Sequence, residues 1–129
     1  IFLSEKEINE FGDELKERRG EIFQNEYLPR IKPFQKVPEL FRRILDDGKR
    51  IALASSAIGE ELEKYKEIAG VADLIEAETS SDDVRRSKPE PDVFRAALEK
   101  LGGGISPAEA IVVGDTPYDV EAANRLGIK

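Results

Sequence analysis

The chain has 129 residues, 27 acidic against 20 basic side chains, a net charge of −7 and 40% hydrophobic residues. That length suits one compact domain, or one domain with part of another, and the acidic balance argues against a nucleic-acid or anionic-membrane partner, since such surfaces gather Lys and Arg. Cysteine and histidine are absent, which excludes disulfides, thiolate metal sites, His-ligated zinc and imidazole acid–base chemistry.

The opening "IFLSEKEINEFGDELKERRG" turns charged too early for a signal peptide, and no apolar run approaches a membrane span, so a cytoplasmic protein is expected. There is no methionine, and the chain starts inside sequence that reads as structured, so an N-terminal segment is expected to precede it. Ser4 and Glu7 have capping-box spacing, and Ile8, Phe11, Leu15, Ile22 and Phe23 recur at helical intervals up to Pro29, predicting a long amphipathic helix. The prolines of "LPRIKPFQKVP" predict a linker or crossover. Pro38 then suits the first turn of a helix whose apolar stripe is Val37, Leu40, Phe41, Ile44 and Leu45 and which stops at Gly48. A strand "RIALAS" follows.

Leu62, Tyr65, Ile68 and Ala69 predict the next helix, closed by Gly70, and "LIEAE" a strand from Leu74 to Glu78. "PDVFRAALEKLGG" predicts a helix with Val93, Phe94, Ala97, Leu98 and Leu101 inward. "SPAE" from Ser106 is a short capped turn before a third strand, "AIVVG", and Val120, Ala123 and Leu126 mark a last helix ending at Gly127. Strands alternating with helices predict an α/β fold, a Rossmann-like parallel sheet with helices on both faces.

In such sheets functional groups collect at the carboxyl ends of the strands. There "IALA" delivers Ser55 and Ser56, the loop beyond "LIEAE" delivers Lys88, and "AIVVG" delivers Asp115 and Asp119. Hydroxyl, N–H and lysine donors suit phosphate oxygens, and carboxylates suit Mg²⁺, so the set is complementary to a phosphate plus that cation. An acid at the tip of an apolar strand needs such a partner, because burying it alone costs several kcal/mol. Each residue alone has an ordinary structural alternative. Ser55 could serve the turn, Lys88 could be a surface lysine, Asp115 could cap the last helix, and Asp119 could be a first-turn acid favoured by the helix dipole.

"IALASSA", "RRSKPEPDVFRAALEKLG" and "AIVVGDTPYDVEAANRLGIK" resemble the second, third and fourth signature motifs of the haloacid dehalogenase-like hydrolase superfamily, over residues from about Lys32 to the end. "SKPEPDVF" with "VVGDTPYD" is most similar to the phosphatase and phosphomutase branch that carries a helical cap. The resemblance implies that residues 1–32 are the C-terminal part of that cap and residues 33–129 an α/β core lacking its first strand and its C-terminal end. It further implies Mg²⁺-dependent phosphoryl transfer from a small phosphorylated substrate through an aspartyl-phosphate. Ser55 and the Ser56 N–H would bind the phosphoryl group, and Lys88 would bridge it to the nucleophile. Asp115 would bind Mg²⁺, with Asp119 as a further ligand or a residue holding those ligands.

The superfamily's first motif, an Asp-x-Asp closing the first strand, is not in the sequence, and the acidic pairs at Asp46 and Asp82 read as a helix end and a polar loop. The resemblance places that motif upstream of the cap, on a strand lying between "IALAS" and "AIVVG". These residues alone are therefore expected to be inactive. Three alternatives stay open at this point: a sugar-phosphate phosphomutase, a non-catalytic receiver-like Mg²⁺-binding module, and a pseudo-phosphatase.

Overall fold

A computed structural model of the protein describes residues 4–129. The chain forms two units, Ile1–Lys32 and Pro33–Lys129. In the first, helix α1 (Glu5–Ile22) opens at the predicted capping box, with the Ser4 hydroxyl accepting from the Glu7 N–H while the Glu7 carboxylate accepts from the Ser4 N–H. It runs on through a π-helical turn, Phe23–Tyr27, and a 3₁₀ turn, Leu28–Arg30. Its apolar positions Ile8, Phe11, Leu15 and Ile22 are all exposed. Among the described residues no helix is long and apolar enough to cross a membrane.

In the second unit, helix α2 (Val37–Asp46) has Pro38 in its first turn, where the missing N–H costs no helical bond. Strand β1 (Ala52–Ala54) leads into helix α3 (Gly59–Ala69), which ends on Gly70 at φ 65°, a conformation that glycine adopts without a Cβ clash. Strand β2 (Ala77–Thr79) returns parallel to β1 with Ala52 opposite Ala77, Leu53 opposite Glu78 and Ala54 opposite Thr79. One further backbone bond extends the pairing at each end, from Glu76 to the Ile51 carbonyl and from Ser55 to the Thr79 carbonyl. Helix α4 (Asp92–Leu101) packs on both strands, and helix α5 (Pro117–Leu126) packs on α4. Val93 and Phe94 of α4, Ala122 and Ala123 of α5, and Ile128 form the core, joined by Ala54, Val84, Leu98, Ala110, Val112 and Leu126.

The architecture is α/β, but the sheet among the described residues has two strands, not the three expected with helices on both faces. "AIVVG" forms no ladder with β1 or β2. Among the described residues its one long-range backbone bond runs from the Val112 N–H to the Lys129 carbonyl at 3.1 Å. Alternate residues of an extended segment face opposite ways. Here Val112 packs on the core, while Ile111 and Val113 are 76% and 97% exposed. The apolar run is therefore present without a neighbouring strand to pair it.

Two smaller differences share a cause. The second strand lies later than "LIEAE", because Ala72–Leu74 winds into a 3₁₀ turn and Thr79, fully buried, completes the strand by donating its hydroxyl to the Val93 carbonyl at 3.1 Å. In α5 the inward face is Asp119, Ala122, Ala123 and Leu126, while Val120 is exposed. In both places a satisfied polar side chain occupies an inward position that an apolar pattern passes over.

Candidate functional site

Beyond β1 the chain turns at Ser55, whose hydroxyl oxygen accepts from the Ala57 N–H at 3.0 Å. That is the turn role anticipated for Ser55, and it leaves the hydroxyl proton available for donation. Ser56 follows, exposed, and its N–H meets no acceptor among the described residues. Helix α3 then starts without a cap from its own Ile58. Asp82, in the turn after β2, supplies one by accepting from the Gly59 N–H at 2.9 Å. The Asp82–Asp83 and Asp46–Asp47 pairs lie in the expected polar turn and helix end, with Asp83 bound to Lys100 and Asp47 to Arg43.

Lys88 precedes a cis peptide bond to Pro89. Its ammonium lies 5.8 Å from the centre of the Phe94 ring and 2.7 Å from Oδ1 of Asp119, 31 residues away in sequence. Asp119 sits in the first turn of α5. Thr116 is the helix cap, and the two form a reciprocal box in which Oδ2 of Asp119 accepts from the Thr116 hydroxyl at 2.6 Å and the Thr116 N–H at 3.1 Å. The Lys88 ammonium first, then the Thr116 hydroxyl and N–H, hold the Asp119 carboxyl below the ordinary carboxylate range, against a burial that pushes it up. Asp119 is buried and Lys88 partly so, at 8% and 17% side-chain exposure. Lys88 is thus not the freely solvated surface lysine of the ordinary alternative.

Asp115 is exposed and makes no hydrogen bond or ion pair with the described residues. The capping role that it might have taken belongs to Thr116. Tyr118 is exposed beside it. Lys88, Thr116 and Asp119 thus form one bonded cluster. Neither Ser55 nor Asp115 bonds to it among the described residues; Ala54, one residue before Ser55, and Val112, three before Asp115, pack on the core that Phe94 helps to form.

Two members of this cluster escaped the reading of the sequence. Thr116 was legible, since Thr-x-x-Asp has capping-box spacing. Gly114 was not. A Cβ placed on it would lie 2.5 Å from Cβ and 2.7 Å from Cγ of Asp119, an approach that only the folded chain reveals.

Among the described residues no three acidic side chains gather as a metal cluster. The free carboxylate of Asp115 is a hard oxygen donor of the kind Mg²⁺ takes, whereas both oxygens of Asp119 are already engaged. A shallow depression between the Asp83–Arg86 segment and α4 holds Arg85, Arg86 and Arg95. Asp83, Asp92 and Glu99 line it as well, so it offers an anion no net charge.

The profile of a family described as haloacid dehalogenase-like hydrolase matches residues 2–129. A phosphoglycolate phosphatase of Aquifex aeolicus is 29% identical over 121 residues, covering 91% of this chain and 56% of that protein. A pyrophosphatase PpaX of Bacillus velezensis is 27% identical over 99 residues, covering 77% of this chain and 45% of that protein. The chain spans about half the length of these curated relatives. The crystal structure of a β-phosphoglucomutase from Clostridium difficile superposes with a TM-score of 0.71 at 17% identity, over 98% of this chain and 54% of that one, a likeness of fold alone.

Proposed function

Since the chain belongs to the haloacid dehalogenase-like hydrolase family, we propose that the protein is a Mg²⁺-dependent phosphatase of small phosphorylated metabolites, working through an aspartyl-phosphate. The observation that carries this reading is the Lys88 ammonium fixed at 2.7 Å from Asp119, beside the turn that presents the free Asp115. A half-buried cation held there is placed to help neutralise an anion arriving at this end of the sheet.

In this reading the phosphoryl oxygens accept from the Ser55 hydroxyl and the Ser56 N–H, while Lys88 offsets the repulsion between phosphate and an attacking carboxylate. That carboxylate oxygen attacks phosphorus, the bond from phosphorus to the leaving oxygen breaks, and a second Asp gives that oxygen its proton. Water, giving a proton back to that second Asp, then attacks phosphorus and breaks its bond to the carboxylate oxygen, releasing phosphate and restoring both acids. Bound Mg²⁺, with Asp115 as a ligand, supplies charge neutralisation at the transferring oxygens. The reading requires the nucleophilic Asp and the acid–base Asp from an Asp-x-Asp strand outside these 129 residues, since each acidic pair within them serves a helix end or a polar turn.

The names of the relatives make phosphoglycolate and pyrophosphate the first substrates to try. The full-length protein is expected to release inorganic phosphate from one or more small phosphate esters or pyrophosphate in the presence of Mg²⁺. Lys88→Met should lower kcat by a factor on the order of 10² or more, the usual loss for one such electrostatic contact. Isomerised sugar phosphate without net phosphate release would make the protein a mutase. Binding without turnover would favour the non-catalytic readings.

A further inference from the structure

Resting on that reading for what Lys88 does, we infer that Asp119, seated against Gly114 and clamped by Thr116, is a positioning residue for the Lys88 ammonium and not a ligand of the cation. Three observations carry this. First, the Asp119 carboxylate is buried and engaged at both oxygens. Oδ2 takes both the hydroxyl and the N–H of Thr116, Oδ1 takes Lys88, and the side chain is 8% exposed. A divalent cation at Oδ1 would lie against an ammonium already in contact, with like charges repelling, while Asp115 on the same turn is exposed and meets no partner among the described residues.

Second, lysine is a point charge on a flexible four-carbon stem, so a defined ammonium position needs holders on more than one side. The ring of Phe94 at 5.8 Å and Oδ1 of Asp119 provide two, leaving the remaining N–H donors for an arriving phosphoryl oxygen. Third, the backbone has been cleared for this carboxylate. A Cβ on residue 114 would come within 2.5 Å of Asp119 Cβ, 2.7 Å of Cγ and 3.0 Å of Oδ2. Gly114 is not in the left-handed region, so its missing side chain answers to the Asp119 side chain and not to a strained turn. Gly114, Thr116 and Asp119 together fix one carboxylate, and that carboxylate fixes Lys88.

The test uses the full-length protein with Lys88→Met, Asp119→Asn and the double variant, each assayed for kcat and KM and titrated with Mg²⁺ by calorimetry. If Asp119 acts through Lys88, each single variant loses about 10²-fold in kcat and the double variant loses no more than Lys88→Met alone. Mg²⁺ affinity in Asp119→Asn stays near wild type, while Asp115→Asn weakens it by about tenfold or more. Losses that multiply in the double variant, or Mg²⁺ binding weakened in Asp119→Asn as much as in Asp115→Asn, overturn the inference.

Thr116 is exposed, so its variants decide the matter if Asp119→Asn does not fold. Thr116→Ala should lower kcat with KM little changed, and Thr116→Ser should restore it. Equal rates for Thr116→Ala and wild type overturn the clamp. Wild-type turnover in Lys88→Met would instead defeat the function proposed for Lys88, and the Mg²⁺ titration of Asp119→Asn would still decide whether its carboxylate ligates.

Discussion

Gly114→Ala tests the packing behind the site, and its magnitude follows from the geometry. Carbon atoms in contact sit about 3.5–4.0 Å apart, whereas the new Cβ would lie 2.5 Å from Cβ and 2.7 Å from Cγ of Asp119. Alanine meets no backbone penalty at this position, and by stiffening the unfolded chain it should even stabilise by about 0.4–1 kcal/mol. Against that, overpacking of this kind costs about 1–3 kcal/mol. The carboxylate must also swing away from Lys88 and Thr116, and a hydrogen bond to a charged group contributes about 1.5–3 kcal/mol. We expect a net destabilisation of about 2–4 kcal/mol in the full-length protein, read as a lowered urea midpoint with an unchanged slope. The same substitution in an Asp119→Gly background, where the three atoms that the Cβ would meet first are gone, should cost no more than about 0.5 kcal/mol. A wild-type midpoint for Gly114→Ala, or its full cost persisting beside Asp119→Gly, would refute the reasoning.

Asp115→Asn should leave the unfolding midpoint within about 0.5 kcal/mol of wild type, since its side chain is exposed and unpaired. The same variant should lose activity by orders of magnitude at limiting Mg²⁺, as kinetic titration with the metal would show. In acid, Glu76, Asp83 and Asp92 are held below their ordinary pKa values, foremost by bonds to Arg50, Lys100 and Arg86 respectively. Their stabilisation is complete above the unfolded values near ~4 and fades as pH falls through the lower folded values, so unfolding midpoints measured from pH 7 downward should hold to about pH 5 and then drop. Asp82→Ala removes the side chain that caps α3 and should destabilise by about 1 kcal/mol in urea unfolding. The 129 residues produced alone should hydrolyse no aryl phosphate above background in a phosphate-release assay, because the proposed mechanism needs an Asp-x-Asp that the sequence does not contain.

The sequence by itself determined the local structure: the caps at Ser4 and Ser106, the proline in the first turn of α2, the glycine that closes α3, and the inward stripe Val93, Phe94 and Ala97 of α4. These depend on residues within a few positions of one another, where spacing and backbone preference suffice. It also marked Ser55, Lys88, Asp115 and Asp119 as groups at strand ends, though each kept a structural alternative. What surrounds each of them came only from the tertiary structure, because those contacts run across long stretches of chain. It set Lys88 on Asp119 over 31 residues, made Thr79 a buried strand residue through the Val93 carbonyl, and left Ala110–Gly114 without a partner strand despite its apolar run. A strand exists by its neighbour and a buried charge by its counter-ion. Neither the neighbour nor the counter-ion is written in the local pattern, and the need for Gly114 appears only once Asp119 lies against it.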